Sequence, residues 1–137
     1  MDWKEKWLFL GMILIMLGMV SGCRVVQEEQ ERQNAEFVIV SEDCIPEELA
    51  TLIETRKEED IKLTYMDQGE RYIIIGYGKQ KTGGYSIYVK DFYKTKNALY
   101  VDTCLVGPKD NSKGKEAPSY PFLVIRTGEI GLPVVFK

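Results

Sequence analysis

The most informative segment of the chain reads Tyr72-Ile73-Ile74-Ile75-Gly76-Tyr77. No charged residue interrupts it, and its apolar residues fall on both faces of an extended chain. A strand with one face in water alternates apolar and polar residues, whereas a strand covered on both faces is apolar throughout. The segment therefore predicts a central strand of a sheet.

On both sides of this segment the sequence continues in strand-like alternation. Leu63 and Tyr65 alternate with polar neighbours, and Asp67–Glu70 reads as a hairpin turn in which Gly69 supplies a positive φ. Further strands are predicted at Phe37–Val40, from Ile61 to the hairpin turn, and at Tyr85–Val89, Leu99–Leu105, Tyr120–Ile125 and Pro133–Phe136. About six to seven strands are therefore expected, most of them antiparallel.

A single helix is predicted near the start of this region. Pro46 suits the first helical position, and the two glutamates that follow favour the positive helix end. Leu49, Leu52 and Ile53 share one face, and the pattern fades near Arg56 and Lys57. One helix with a mostly antiparallel sheet predicts an α+β domain, with a sandwich- or barrel-like sheet.

The N-terminus reads as an export signal. Lys4 and Lys6 precede an apolar run from Trp7 to Val20. As a helix this run would rise about 21 Å at ~1.5 Å per residue, which is short for a membrane core of about 30 Å and typical of a signal peptide. The alternatives are a short anchor helix and an ordinary secretory signal.

The run ends in Val20-Ser21-Gly22-Cys23, which resembles the lipobox of bacterial lipoproteins. The resemblance implies that residues 1–22 are removed and that Cys23 is acylated, anchoring the chain to a membrane on the side away from the cytoplasm. Residues 23–36 are polar and charged and predict a tether. Residues 37–137 are then expected to form a single domain.

Composition excludes several function classes. The formal charge is −3, and nucleic-acid binding favours a concentrated basic face instead. The chain has no histidine, which excludes the usual Ser-His-Asp and Cys-His mechanisms and the histidine zinc sites. We therefore expect no enzyme activity, no cofactor and no metal.

Two cysteines besides Cys23 remain, Cys44 and Cys104. Export permits a disulfide between them, which would close a loop of about 60 residues and stabilise the fold by roughly 4 kcal/mol. Two buried free thiols, acting as small hydrophobes, are the alternative.

Two features resemble a known family. The first is the segment Thr82-Gly83-Gly84-Tyr85-Ser86-Ile87, which leads into a strand. The second is a long loop that begins at Gly107-Pro108 and returns through Ser119-Tyr120-Pro121-Phe122. Together they resemble the C-terminal domain of the protease complex subunit PrcB family. The resemblance implies a lipoprotein subunit that associates with a protease at the cell surface.

The same loops carry the candidate binding residues. Two glycines permit unusual torsions and leave N–H groups approachable, two lysines make the rim basic, and a tyrosine lies at the base. The candidates are Lys79, Lys81, Thr82, Gly83, Gly84 and Tyr85. A tight turn with Tyr85 packed in the core is the alternative interpretation. We expect Gly78–Gly84 and Gly107–Ser119 to contact an exported protein, as a complex subunit or as an inhibitor.

A second hypothesis is a tyrosine-rich face that binds a small ligand or a cell-wall polymer. Strand tyrosines are more often core or rim residues with hydroxyls in water. The tyrosines concerned are Tyr72, Tyr77, Tyr85, Tyr88, Tyr93, Tyr100 and Tyr120.

Overall fold

The computed structural model describes residues 31–109 and 117–137. The predicted signal peptide, the lipidation site at Cys23 and most of the predicted tether lie outside the described residues, as does the middle of the loop after Gly107. Within the described part, no helix is both long enough and apolar enough to span a membrane.

The described residues form one α-helix and eight strands. The helix, α1, covers Glu47–Arg56 and follows a 3₁₀ turn at Glu42–Cys44. The strands are β1 (Gln33–Asn34), β2 (Val38–Ile39), β3 (Asp60–Asp67), β4 (Glu70–Tyr77), β5 (Ser86–Lys94), β6 (Leu99–Val106), β7 (Phe122–Thr127) and β8 (Val134–Phe136).

The strands form two sheets of four. One sheet has the order β2-β7-β4-β3 and is antiparallel throughout. We call it the middle sheet, because the helix packs on one of its faces and the other sheet packs on the opposite face. The outer sheet has the order β1-β5-β6-β8, in which only β6 and β8 run parallel. The predicted α+β class is confirmed, whereas the barrel alternative is wrong because each described sheet keeps two edges.

The predicted count of six to seven strands is also too low for the described chain. The additional strand is β1, which lies in the segment that the sequence predicts as a tether. It consists of Gln33 and Asn34, which pair with Lys94 and Tyr93. Two exposed polar residues carry no hydrophobic period, so no pattern in the sequence could have revealed this strand.

The core lies on both faces of the middle sheet. On one face, Leu49 and Ile53 of α1 pack against Ile74 of β4 and its neighbours. On the other face, Ile73 and Ile75 pack against the outer sheet. The chain is therefore built as three layers, helix, middle sheet and outer sheet, which confirms β4 as a central strand and explains why both of its faces are apolar.

Local geometry follows the sequence at the turn and the helix. Gln68 and Gly69 both have positive φ, 48° and 77°, as a two-residue hairpin loop with a type I′ turn requires. The helix begins at Glu47, so Pro46 is its N-cap, one position before the predicted first helical position, and two glutamates lie in its first turn. Their negative charges therefore lie near the positive end of the helix dipole, which stabilises the helix.

Candidate functional site

The two loops predicted as a contact surface are joined by the main chain. Gln80 N–H donates to Ser119 O over 2.8 Å, and Ser119 N–H donates back to Gln80 O over 3.1 Å. The Ser119 hydroxyl also donates to Thr82 O over 2.6 Å. We call residues 78–85, 107–109 and 117–120 together the loop end.

Two glycines make the loop end sterically feasible. Gly84 has φ +85°, and a Cβ there would lie 2.9 Å from Pro108 Cβ. Gly78 has φ +74°, and a Cβ there would lie 3.0 Å from Glu58 O. Larger residues would be strained at both positions. The glycine that the sequence singled out at position 84 is thus where the loop before β5 touches the loop after β6.

The six predicted binding residues lie on this surface with different exposures. Lys79, Lys81 and Gly84 are exposed, whereas Thr82, Gly83 and Tyr85 are half-buried. Tyr85 packs beside Gly107: a Cβ added at position 107 would lie 3.6 Å from Tyr85 Cε1. Tyr85 therefore supports the junction of the two loops and does not lie in the main core. Lys109, outside the predicted set, is exposed here too.

Lys57 is a neighbour of the loop end that the sequence did not single out. Its Nζ lies 2.6 Å from Glu54 Oε1 and 4.8 Å from the centre of the Tyr120 ring. The hydrogen bond to Glu54 raises the pKa of Lys57, and Tyr120 adds to this effect. Lys57 thus links the C-terminal end of α1 to the loop end. The sequence marks Lys57 only by its place near the predicted end of the helix and by its i,i+3 spacing from Glu54.

The opposite end of the outer sheet is built differently. Here β1 pairs with the last residues of β5, and Arg32 lies 4.3 Å above the centre of the Tyr93 ring. Tyr93 and Tyr100 stack with ring centres 4.8 Å apart, and Lys137 Nζ lies 5.4 Å and 5.3 Å from these two centres. We call residues 32–34, 93–96, 100 and 137 the tether end.

The structure does not gather the tyrosines on one face. Tyr72 lies in the core beside α1, and Tyr77 lies between the sheets with its hydroxyl 2.6 Å from that of Thr103. Tyr93 and Tyr100 have cations over their rings, and Tyr85 and Tyr120 lie at the loop end. Among the seven, Tyr88 alone is exposed in the described chain, at 51%. The predicted tyrosine face is therefore dispersed.

The two cysteines beyond Cys23 are free thiols and do not form the disulfide considered above, and the alternative of two buried thiols does not hold for Cys44 either. Cys44 lies exposed in the 3₁₀ turn before α1, and Cys104 lies half-buried on β6 in the outer sheet. The two residues belong to different layers. Among residues 31–109 and 117–137, no group of three or more His, Cys, Asp or Glu side chains is arranged to hold a metal ion.

Comparison with known proteins finds one family that is similar to the segment containing the loop end. Residues 71–128 match the model of the PrcB C-terminal family, from the start of β4 to just after β7. This match bears out the resemblance to the PrcB C-terminal domain over residues 71–128. The match points to a protease-complex-associated role. No curated protein and no solved structure shows significant similarity to the chain.

Proposed function

We propose that this protein is a non-catalytic, membrane-anchored lipoprotein that binds another exported protein through its loop end, as a subunit of a protease complex. The observation that carries the proposal is the main-chain bridge between Gln80 and Ser119, which lies inside the stretch that matches the PrcB C-terminal family. The bridge makes one continuous surface from two loops that are distant in sequence.

The loop end has the properties of a preorganised binding surface. Three hydrogen bonds join the loops at Gln80, Thr82 and Ser119, so the backbone at these three residues has little conformational entropy to lose on binding. Lys79, Lys81 and Lys109 meanwhile extend exposed side chains from it. Basic rims favour an acidic partner surface and speed its association.

The point at which the tether joins the domain also supports the proposal, because it lies at the opposite end of β5 from the loop end. The tether reaches the domain at β1, which pairs with Tyr93 and Lys94 at the end of β5. The loop end lies beyond Ser86 at the start of that strand, roughly 26 Å away at ~3.3 Å per residue. A lipid on Cys23 would hold the tether end towards the membrane and leave the loop end facing outwards.

The hydrogen bonding of the loop end supports a non-catalytic role. A serine nucleophile needs a base that accepts its proton. The Ser119 hydroxyl instead donates to the main-chain carbonyl of Thr82, which is not a base. The chain also has no histidine that could act as the base for Ser119.

Gentle detergent co-purification of the full-length protein from its native membrane tests the proposal. The wild type is compared with the double variant Lys79→Glu/Lys81→Glu, and with Lys90→Glu/Lys96→Glu as a matched control of exposed lysines outside the loop end. Mass spectrometry should find a stoichiometric exported protein with the wild type and the control, and a loss of at least tenfold with the loop-end variant.

Equal recovery with all three proteins, or equal loss with both variants, would contradict the proposed surface. The variant Cys23→Ala tests the anchor separately, since it should release the protein from the membrane fraction. If the recovered partner is a protease, its activity with and without the lipoprotein distinguishes a subunit from an inhibitor.

A further inference from the structure

The free edge of the middle sheet at β2 is unusually apolar. Phe37, Val38 and Ile39 are consecutive and are 37%, 53% and 53% exposed, whereas Val40 is buried against Val124 and α1. Single exposed apolar residues are normal on a protein surface, but an exposed run on a strand edge marks an interaction site. No charge or proline interrupts these residues.

The backbone of this edge has groups available for pairing. Val40 N–H donates to Val124 O over 2.9 Å, so the backbone groups of Val40 point towards β7. Successive residues of a strand direct these groups to opposite sides. The N–H and C=O groups of Phe37 and Ile39 therefore point away from β7, and β2 is the last strand on this side of the sheet as described.

The other edge of the same sheet provides an internal contrast. The edge strand β3 is longer, but Asp60, Lys62 and Asp67 place charges along it. Charges on an edge strand discourage pairing with another chain. The middle sheet thus has one edge with charged side chains, at β3, and one apolar edge, at β2.

Acidic groups lie beyond both ends of the β2 edge. At its start is a groove of about 520 Å³, lined by Ala35–Val38, Glu70 and Arg126–Gly128. Arg126 Nε lies 3.4 Å from Glu70 Oε2, so the charges of these two side chains balance each other. The carboxylate of Glu36 then gives the groove a net negative charge. At the other end, Glu42 and Asp43 are exposed. The edge is therefore apolar in the middle and acidic at both ends.

We propose that β2 accepts one extended segment of a partner protein as an added strand, with about four apolar residues between two basic ones. Main-chain hydrogen bonds to Phe37 and Ile39 would hold the segment, as in other complexes formed by strand addition. Its basic residues would lie near Glu36 at one end and Glu42 at the other. This surface is separate from the loop end and does not depend on the function proposed for it.

Two labelled synthetic peptides test the proposal by fluorescence anisotropy, with the full-length protein in detergent and detergent alone as background. Both contain the core Val-Ile-Val-Val, flanked in one by lysines and in the other by glutamates. The lysine-flanked peptide should bind at least tenfold more tightly than the glutamate-flanked one. Raising the salt concentration should reduce this preference.

Variants of the two sheet edges locate the binding. Val38→Lys should weaken binding of the lysine-flanked peptide at least tenfold, and Ile39→Pro should do the same because proline removes an outward N–H. Met66→Lys introduces the same charge at the β3 edge, where Met66 is 49% exposed, and should leave binding unchanged. Lys79→Glu/Lys81→Glu should also leave it unchanged, which separates this surface from the loop end.

Three results would overturn the proposal. The first is peptide binding that is equal with either flank, and the second is binding that Val38→Lys and Met66→Lys weaken equally. The third is a wild-type dimer, seen by sedimentation, that Val38→Lys dissociates, because the edge would then pair with a second copy of this chain.

Discussion

The loop end and the tether end lie at opposite ends of β5, yet they are held together by different kinds of contact. At the loop end, main-chain hydrogen bonds join Gln80 to Ser119. Lys79, Lys81 and Lys109 stay exposed there, and only the neighbouring Lys57, from α1, covers a tyrosine ring, that of Tyr120. At the tether end, charged side chains make the contacts: Arg32 covers Tyr93, and Lys94 Nζ lies 2.5 Å from Glu129 Oε1.

This difference supports the proposal that the loop end is a surface for recognition and the tether end a surface for attachment. A lysine or arginine that already covers a tyrosine ring or pairs with a carboxylate must lose that contact before it binds anything else. A rigid backbone with exposed side chains has no such cost. Basic residues and aromatic rings occur at both ends, so composition alone does not distinguish them.

The largest effect on stability is expected from Gly84→Ala, which should disrupt the contact between the two loops of the loop end. The positive φ and the approach to Pro108 together should destabilise the protein by about 2 kcal/mol. Chemical denaturation would measure this loss. Gly128→Ala is the control, because a Cβ there meets nothing within 4 Å. A similar loss in both variants would show that the junction of the loops is not the cause.

Ser119→Ala should have the next largest effect. It removes the hydroxyl that donates to Thr82 O and keeps the main-chain bridge to Gln80. We expect a loss of about 1 kcal/mol by denaturation, the usual value of one such bond. Ser86→Ala, at an exposed serine where β5 begins, is the matched control. An unchanged stability for Ser119→Ala would mean that the bridge alone holds the loops.

At the tether end, Arg32→Ala should destabilise by about 0.5–1 kcal/mol, mainly through its contact with the Tyr93 ring. Asp91→Asn should change stability by less, because the Arg32–Asp91 pair at 3.7 Å is largely exposed. Hydrogen exchange at Gln33 and Asn34 would report the change locally. A larger effect from Asp91→Asn would identify the ion pair as the main contact.

The smallest effect is expected at Tyr65, which belongs to neither end. Its hydroxyl donates to Glu48 Oε2 over 2.8 Å, and this hydrogen bond raises the pKa of Tyr65 above 10.0. A raised pKa means that the contribution to stability is present below pH 10.0 and lost as pH rises through the folded value. Tyrosinate absorbance should contain a late-titrating component from Tyr65 that Glu48→Gln moves to lower pH.

The sequence predicts most of the fold because burial leaves a periodic signal. The apolar residues on both faces of β4, the alternation in β3 and the i, i+3, i+4 pattern in α1 all correspond to observed packing. The positive φ of Gly69 follows from its place in the hairpin turn. Periodicity does not say which strands share a sheet, so it could not distinguish two layered sheets from a barrel.

The candidate site is predictable only in part. The glycines and lysines of the loop before β5 stand out in the sequence, but the partner of Gln80 is 39 positions away in chain order at Ser119. No local pattern encodes such a pairing. The cations over Tyr93 and Tyr100 come from Arg32 and Lys137, near opposite ends of the described chain. The number of strand tyrosines therefore predicts a tyrosine-rich face, whereas these long-range contacts cover two of the rings.

Site-specific photo-crosslinking in the native cell tests the proposed role of the loop end most directly. A photoreactive residue replaces Lys81 at the loop end or Lys96 at the tether end, both of which are exposed, and mass spectrometry identifies the adducts. We predict a crosslink from position 81 to one exported protein and none to that protein from position 96. A crosslink to that protein from position 96 alone, or none from position 81, would contradict recognition through the loop end.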